Sequence, residues 1–102
     1  MTMDKLDQMA VVDRFIDIRI LGLTKWFDPA LKHEICDWSS LAEFRRELVL
    51  NRMAALEAYG LVKTTKNYCL PKHEDVCQQA ATRIMPEVLA ELDSIQPGRH
   101  AD

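Results

Sequence analysis

Glycine, proline and cysteine are all scarce in this chain of 102 residues, which has three, four and three of them respectively. The glycines do not cluster, so the sequence contains no glycine-rich phosphate loop, and no serine occupies a nucleophile elbow. No pair of carboxylates has neighbours that would tune one as an acid and the other as a base. The sequence therefore predicts a protein that is not an enzyme.

Long apolar runs are also missing. No stretch approaches the roughly 18 to 20 apolar residues needed to cross a bilayer, and the opening MTMDKLDQMA is charged where a signal peptide would be apolar. These features predict a cytoplasmic protein without membrane contact. With 48% hydrophobic and 28% charged residues, the chain can form one small core. We predict one domain over residues 1–95 and a flexible polar tail at 96–102.

The three cysteines, Cys36, Cys69 and Cys77, are an odd number and fit no disulfide framework. His33 and Cys36 are three residues apart, so they would share one helical face. His73 and Cys77, four apart, would share another. Zinc needs about four converging ligands, and the sequence lacks the paired-cysteine knuckles that usually supply them, so we predict no metal and no cofactor. Cys36 and Cys77 are expected to pack as small apolar residues, with Cys69 kept as an alternative candidate for an oxidation-sensing thiol.

Charge is distributed unevenly along the chain, although the net charge of −3 is small. Residues 41–72 carry six Lys or Arg against three Asp or Glu. Residues 1–40 carry five against seven, and residues 73–102 carry two against six. The middle third is therefore basic between two acidic thirds, and this segregation matters more for binding a polyanion than the total does.

The first part of the chain has the pattern of two helices. Apolar residues recur every three or four positions from residue 6 to residue 20, which predicts an amphipathic helix that ends near Gly22 and turns its aspartates outward. Asp28 and Pro29 suit the N-cap and the first position of a short second helix. Three aromatic residues near these helix ends are assigned to the core in preference to a small-molecule pocket: Trp26, Phe27 and Trp38.

A third helical region runs from Ser40 to Gly60. Ser40 and Glu43 fit a capping box, and an apolar stripe follows: Leu41, Phe44, Leu48, Met53 and Leu56. No glycine or proline marks a break within residues 47–51, so one continuous helix and two helices with a tight turn both fit, and we favour two. Gly60 suits the left-handed residue that ends a helix, with Leu61 making the accompanying apolar contact.

Residues 61–70 are predicted to be the only β structure, a two-stranded hairpin. β-Branched and aromatic residues flank a turn at Lys66 and Asn67, where Asn tolerates positive φ. We expect Pro86 to interrupt the last helix, because proline removes a hydrogen bond and clashes with the preceding turn. The predicted fold class is mainly α, with four to six helices and one two-stranded hairpin.

The segment RMAALEAYGLVKTT, followed by NYCLP, resembles the recognition helix and wing of winged helix-turn-helix proteins, most closely bacterial regulators of the MarR and HxlR types. The resemblance covers about residues 41–95 and is most specific in the LE..GLV segment. It implies a helix that enters the major groove of DNA, a wing that reaches the backbone or minor groove, and dimerisation through the terminal helices. Helix-wing units of plasmid relaxases and mobile-element proteins are a weaker resemblance, in which the wing can contact protein.

Candidate DNA contacts follow from this segment. Arg pairs with guanine edges or phosphates and Asn with adenine, which selects four residues on or beside the recognition helix: Arg45, Arg46, Asn51 and Arg52. Cationic and small polar side chains suit phosphate contacts from the wing: Lys63, Thr64, Thr65, Lys66 and Asn67. We predict a dimeric transcription regulator that binds double-stranded DNA. Two alternatives stay open: the cations form surface ion pairs with neighbouring glutamates, or the helix and wing bind another protein as an interaction or inhibitor domain.

Overall fold

The computed structural model of the protein describes residues 14–38 and 41–94. Seven elements follow each other in this part of the chain: α1 (Arg14–Phe27), β1 (Ala30–Leu31), α2 (Lys32–Asp37), α3 (Arg46–Ala58), β2 (Val62–Thr64), β3 (Tyr68–Pro71) and α4 (Glu74–Ser94). The prediction of a mainly helical fold is confirmed. The apolar positions before residue 14, Ser40 of the capping box and the tail at 96–102 lie outside the described residues.

The sheet has three antiparallel strands in the order β1-β3-β2, so the prediction of two strands is wrong. β2 and β3 form the predicted hairpin, but among the described residues only Gly60 has a positive φ, so the positive φ expected at Asn67 is wrong. The additional strand is β1, in which Ala30 pairs with Cys69 and Leu31 with Tyr68. A strand of two residues has no alternation that a sequence pattern could reveal. β1 is a strand only because it pairs with β3.

The start of α2 also differs from the prediction. The Asp28–Pro29 peptide bond is cis, and the next two residues form β1, so α2 begins at Lys32 instead of at Pro29. Trp38 packs against the core as expected. Trp26 and Phe27 are 36% and 44% exposed. Their assignment to the core is therefore wrong, because α1 continues to Phe27 and places both rings at the surface.

Gly22 lies within α1 and does not end it, so the predicted helix stop is wrong. A Cβ atom at this position would lie 2.5 Å from Cδ1 and 2.8 Å from Cγ1 of Ile84, and 3.1 Å from the carbonyl oxygen of Ala80. Both neighbours belong to α4. The glycine therefore permits the close approach of two helices, a role that the sequence of one helix cannot show.

Replacing Gly22 with Ala should lower the free energy of unfolding by about 1 to 3 kcal/mol, because the added methyl group overpacks the contact between α1 and α4. At a helical position without such a neighbour the same change would stabilise by about 1 kcal/mol. Urea denaturation distinguishes the two signs. Combining Gly22→Ala with Ile84→Val, which removes the Cδ1 methyl group, should cost less than the two single changes added together. A stabilised Gly22→Ala variant would contradict the packing described.

α4 continues through Pro86, so the predicted interruption is wrong. Ile84 before the proline and Val88 after it are 3% and 1% exposed, and Glu87 is paired with Arg19 of α1. Contacts with the core on both sides of Pro86 hold the helix together despite the hydrogen bond that proline removes. Although α4 has 21 residues, no helix in the described part of the chain is both long and apolar enough to cross a membrane.

α3 is a single helix, so the preference for two helices is wrong. Residues 41–44 form a turn, and Arg45 takes the N-cap position without a side-chain hydrogen bond. Glu43 therefore lies before the helix and not in its first turn. The predicted apolar stripe is confirmed at Leu41, Met53 and Leu56, which are buried, but Leu48 is 38% exposed and Val49 lies in the core instead.

The end of α3 confirms the prediction made from Gly60. This residue has a φ of 78°, in the left-handed region that glycine adopts without strain. The Gly60 amide donates to the carbonyl of Glu57 at 2.9 Å, and the Leu61 amide donates to the carbonyl of Leu56 at 3.0 Å. These two bonds form a Schellman motif, which turns the chain directly from α3 into β2.

Candidate nucleic-acid interface

α3 has a core face and a solvent face. The core face consists of Val49, Met53 and Leu56, none of which is more than 1% exposed. Because successive residues are about 100° apart around a helix, the opposite face carries four exposed residues: Glu47, Asn51, Ala54 and Ala58. We call these four the solvent face of α3. It presents one carboxylate and one amide beside two short side chains.

Two of the predicted cations lie at the N-terminal end of α3. Arg45 is exposed. Arg46 donates from Nη2 to Oδ1 of Asp37 at 2.8 Å, and the two side chains are 55% and 61% exposed. A surface pair of this kind contributes about 0 to 1 kcal/mol. Arg46 can therefore exchange Asp37 for a phosphate with little loss of stability.

Arg52 is held inside the protein and does not belong to the solvent face of α3. Its Nε and Nη2 donate to the two carboxylate oxygens of Asp17 at 2.9 and 2.7 Å. The Arg52 side chain is 14% exposed and that of Asp17 is fully buried. The geometry thus gives Arg52 a bidentate ion pair between α3 and α1, where the sequence suggested a base contact.

The prediction that the aspartates of α1 face outward is wrong for Asp17, which is fully buried. α1 buries eight of its 14 residues, so its core face is wider than one apolar stripe. Asp17 directly follows Ile16, which is 5% exposed. Asp17 lies next to an apolar position in a helix that is buried over most of its surface. This position is the signal in the sequence that the carboxylate needs an internal partner.

Arg19 of α1 is a second largely buried cation, and its contacts connect α1 with α4 and with the turn before α3. The Arg19 side chain is 11% exposed, and its Nη2 donates to both carboxylate oxygens of Glu87 in α4, at 2.6 and 2.5 Å. Its guanidinium carbon lies 3.5 Å from the centre of the Phe15 ring, a cation–π contact. The Phe15 ring lies 6.0 Å from that of Phe44, in the turn before α3. These contacts connect α4 through α1 to the start of α3.

The β2–β3 hairpin presents the remaining predicted cations. Lys63 in β2 is exposed, as are Lys66 and Asn67 in the turn. The carbonyl oxygen of Asn67 accepts a hydrogen bond from the amide of Lys32 at 2.8 Å, which ties the turn to the start of α2. The side chains of the turn therefore extend from an anchored backbone.

The two threonines of the hairpin maintain its shape. The amide and the hydroxyl of Thr64 each donate to a carboxylate oxygen of Glu57 at 2.8 Å. The bond from the amide, followed by that from the hydroxyl, lowers the pKa of the Glu57 carboxyl. The hydroxyl of Thr65 accepts from the amide of Tyr68 at 3.0 Å across the turn. Thr64 joins the hairpin to α3, and Thr65 closes the turn.

The three cysteines are buried, unpaired thiols. Burial raises the pKa of Cys69 to about 12 and also raises the pKa of Cys36 and of Cys77. A thiol that stays protonated and lies away from solvent reacts slowly with oxidants, so the structure argues against Cys69 as an oxidation sensor. Among the described residues, no three His, Cys, Asp or Glu side chains are grouped so that they could hold a metal ion.

The chain matches no protein-family model, no curated protein and no solved structure in the three comparisons made with known proteins. Its function is therefore inferred from the geometry of α3 and the hairpin.

Proposed function

We propose that this protein is a small transcription regulator of the winged helix-turn-helix type, which binds double-stranded DNA through α3 and the β2–β3 hairpin. The observation that carries the proposal is the solvent face of α3, which is exposed opposite the core face, on a helix that Glu57 joins to the hairpin through its bonds with Thr64. A helix that ends at Gly60 and leads straight into a hairpin is also the unit on which the sequence resemblance rests.

The solvent face of α3 suits a major groove in both size and chemistry. The groove is about 12 Å wide and admits an α-helix. Ala54 and Ala58 are short, so the helix backbone can come close to the base edges, where alanine methyl groups contact the methyl group of thymine. Asn51 lies on the same face, and its amide matches the N6 and N7 atoms of adenine.

Phosphate contacts are available on both sides of this face. Arg45 and Arg46 lie at the N-terminal end of α3, where the helix dipole adds positive potential. Lys63 and Lys66 extend from the hairpin that follows its C-terminal end. Each phosphate that these cations neutralise releases bound counterions. We therefore expect binding that weakens steeply as salt is added.

Fluorescence anisotropy tests the proposal with two labelled duplexes, one taken from upstream of the protein's own coding sequence and one of random sequence. Asn51→Ala should weaken binding to the preferred duplex by about 1 to 3 kcal/mol, because the adenine contact is lost. Lys66→Ala should weaken binding to both duplexes alike and reduce the slope of log affinity against log salt by about one.

Arg83→Ala is the matched control for Lys66→Ala, because it also removes one exposed cation, but from α4. It should leave the affinity and the salt slope unchanged. The proposal fails if the wild-type protein binds neither duplex at about 50 mM salt. It also fails if Arg83→Ala weakens binding as much as Lys66→Ala does.

We further propose that the protein dimerises through the outer surface of α1 and α4. The two helices pack on each other within one copy of the chain, yet large apolar side chains are exposed on them: Trp26, Phe27, Met85 and Leu89, at 36–48%. Trp26 and Met85 line one open groove between the helices. A twofold contact over this surface would bury these groups and double the DNA-binding cations.

Light scattering at micromolar concentration should then give about twice 11.7 kDa, and a monomer would contradict dimerisation.

A protein partner is the second candidate, and exposed apolar side chains on and after α3 favour it. Leu48, Leu50 and Tyr59 are 38%, 37% and 59% exposed, and apolar and aromatic groups are typical of the centres of protein interfaces. This candidate predicts that neither duplex binds. An affinity pull-down from the native host would then identify the partner, with Leu50→Glu as the variant that should lose it.

A further inference from the structure

Glu47 lies on the solvent face of α3, one helical turn before Asn51. It is exposed, and none of the described residues forms a hydrogen bond or an ion pair with its carboxylate. Its basic neighbours Arg46 and Arg52 are paired instead with Asp37 and Asp17. The face that is proposed to meet DNA therefore carries a carboxylate that no residue within 14–38 or 41–94 pairs with.

A carboxylate placed against DNA is unfavourable unless a base donates a hydrogen bond to it, because the phosphates make the groove electronegative. Two base donors are available in the major groove, the N4 amino group of cytosine and the N6 amino group of adenine. Adenine has the acceptor N7 beside its amino group, and N7 repels a carboxylate. Cytosine presents its amino group without an acceptor of its own, so it accommodates a glutamate best.

We infer that Glu47 selects a cytosine in the DNA site, within two base pairs of the adenine that Asn51 selects; this inference rests on the proposed DNA binding. Residues four apart on a helix are separated by about 6 Å along its axis, close to two base-pair steps of about 3.4 Å each. The site then contains a cytosine and an adenine one or two base pairs apart. Asn51 selects its base by forming hydrogen bonds with it. Glu47 also selects by repelling bases that present an acceptor to its carboxylate.

Glu47 has a second physical effect that the test must separate from base selection. It lies in the first turn of α3, where a negative charge stabilises the helix through its dipole. Changing Glu47 therefore alters thermal stability slightly even if the side chain never contacts DNA. The identity of the selected base is a readout that helix stability does not change.

Selection of bound duplexes from a random library, followed by sequencing, gives this readout. The wild-type protein should enrich sites with cytosine and adenine at the spacing above. Glu47→Gln and Glu47→Ala should lose the preference at the cytosine position by about 10-fold or more and keep the preference for adenine. Both variants should bind random duplex more tightly than the wild type, because the repulsion from phosphates is removed.

Glu43→Ala, which removes an exposed carboxylate from the turn before α3, is the matched control and should select the wild-type site.

Selection of identical sites by the wild type and both Glu47 variants would overturn the inference and leave the proposed function in place. Binding to duplex DNA without enrichment of any site would also overturn it. Failure of every variant and of the wild type to bind any duplex at low salt would instead overturn the proposed function itself. Thermal melting of each variant confirms that the proteins compared are folded.

Discussion

Replacing Asp17 with Ala should lower the free energy of unfolding by about 3 to 5 kcal/mol, because it removes one partner of a buried ion pair. Asp17 is fully buried and Arg52 is 14% exposed, so the guanidinium that remains would lose its bidentate acceptor and gain little water in exchange. A domain is typically stable by about 5 to 15 kcal/mol in total. The change therefore takes a large part of the stability, which urea denaturation measures directly.

Asp37→Ala is the control for this prediction, because it breaks the exposed pair with Arg46 and should lower stability by about 0 to 1 kcal/mol. Replacing both partners, as Asp17→Leu with Arg52→Met, should recover much of the stability lost in Asp17→Ala, since neither charge is then left buried. If Asp17→Ala behaves like Asp37→Ala, Arg52 reaches solvent and its predicted contact with DNA becomes possible again.

Leu56→Ala should lower the free energy of unfolding by about 2 to 5 kcal/mol, through lost apolar burial and the cavity left behind. Leu56 is fully buried on the core face of α3. Its carbonyl oxygen also accepts the Leu61 amide in the turn that ends the helix. The same denaturation experiment, with the slope against urea held constant between variants, gives the value.

Leu50→Ala is the matched control, with the same chemical change in the same helix at a side chain that is 37% exposed. We expect it to lower stability by less than about 1 kcal/mol, because surface substitutions are mostly small in effect. The pair of variants tests the rotation of α3 about its axis. Equal losses from Leu50→Ala and Leu56→Ala would contradict the core face described, and with it the position of the solvent face.

The features predicted correctly from the sequence depend on interactions between residues close in the chain. Gly60 ends α3 with bonds that reach back only three and five residues, and the hairpin turn at Lys66 and Asn67 follows a few residues later. Such signals are local, so they can be recognised in the sequence without knowledge of the fold. They gave the helix, the turn and the hairpin that form the candidate interface.

The features predicted wrongly depend on distant partners. Gly22 looks like a helix stop until Ile84 is placed beside it, and Pro86 looks like a break until the core contacts around it are known. β1 exists as a strand through its pairing with β3. Local propensity is a weak guide wherever tertiary contacts of this kind decide the outcome.

The sequence predicts only part of the candidate site, because the rotation of α3 about its axis also depends on tertiary contacts. The predicted apolar stripe correctly contains Met53 and Leu56, but it assigns Leu48 to the core in place of Val49. Val49, Met53 and Leu56 together define the core face of α3, so Arg52 lies beside the core whereas Asn51 lies opposite. The sequence therefore indicates the right residue types, whereas the position of the core face of α3 decides which of them face solvent.

Nuclear magnetic resonance titration of the isotope-labelled protein with the selected duplex tests most directly whether α3 and the hairpin form the DNA interface. The expected result is that backbone amide signals of residues 45–58 and 63–68 shift progressively and saturate, while those facing solvent in α4 change little. Shifts confined to α4, or no shifts at low salt with a protein whose spectrum shows that it is folded, would contradict the proposed interface.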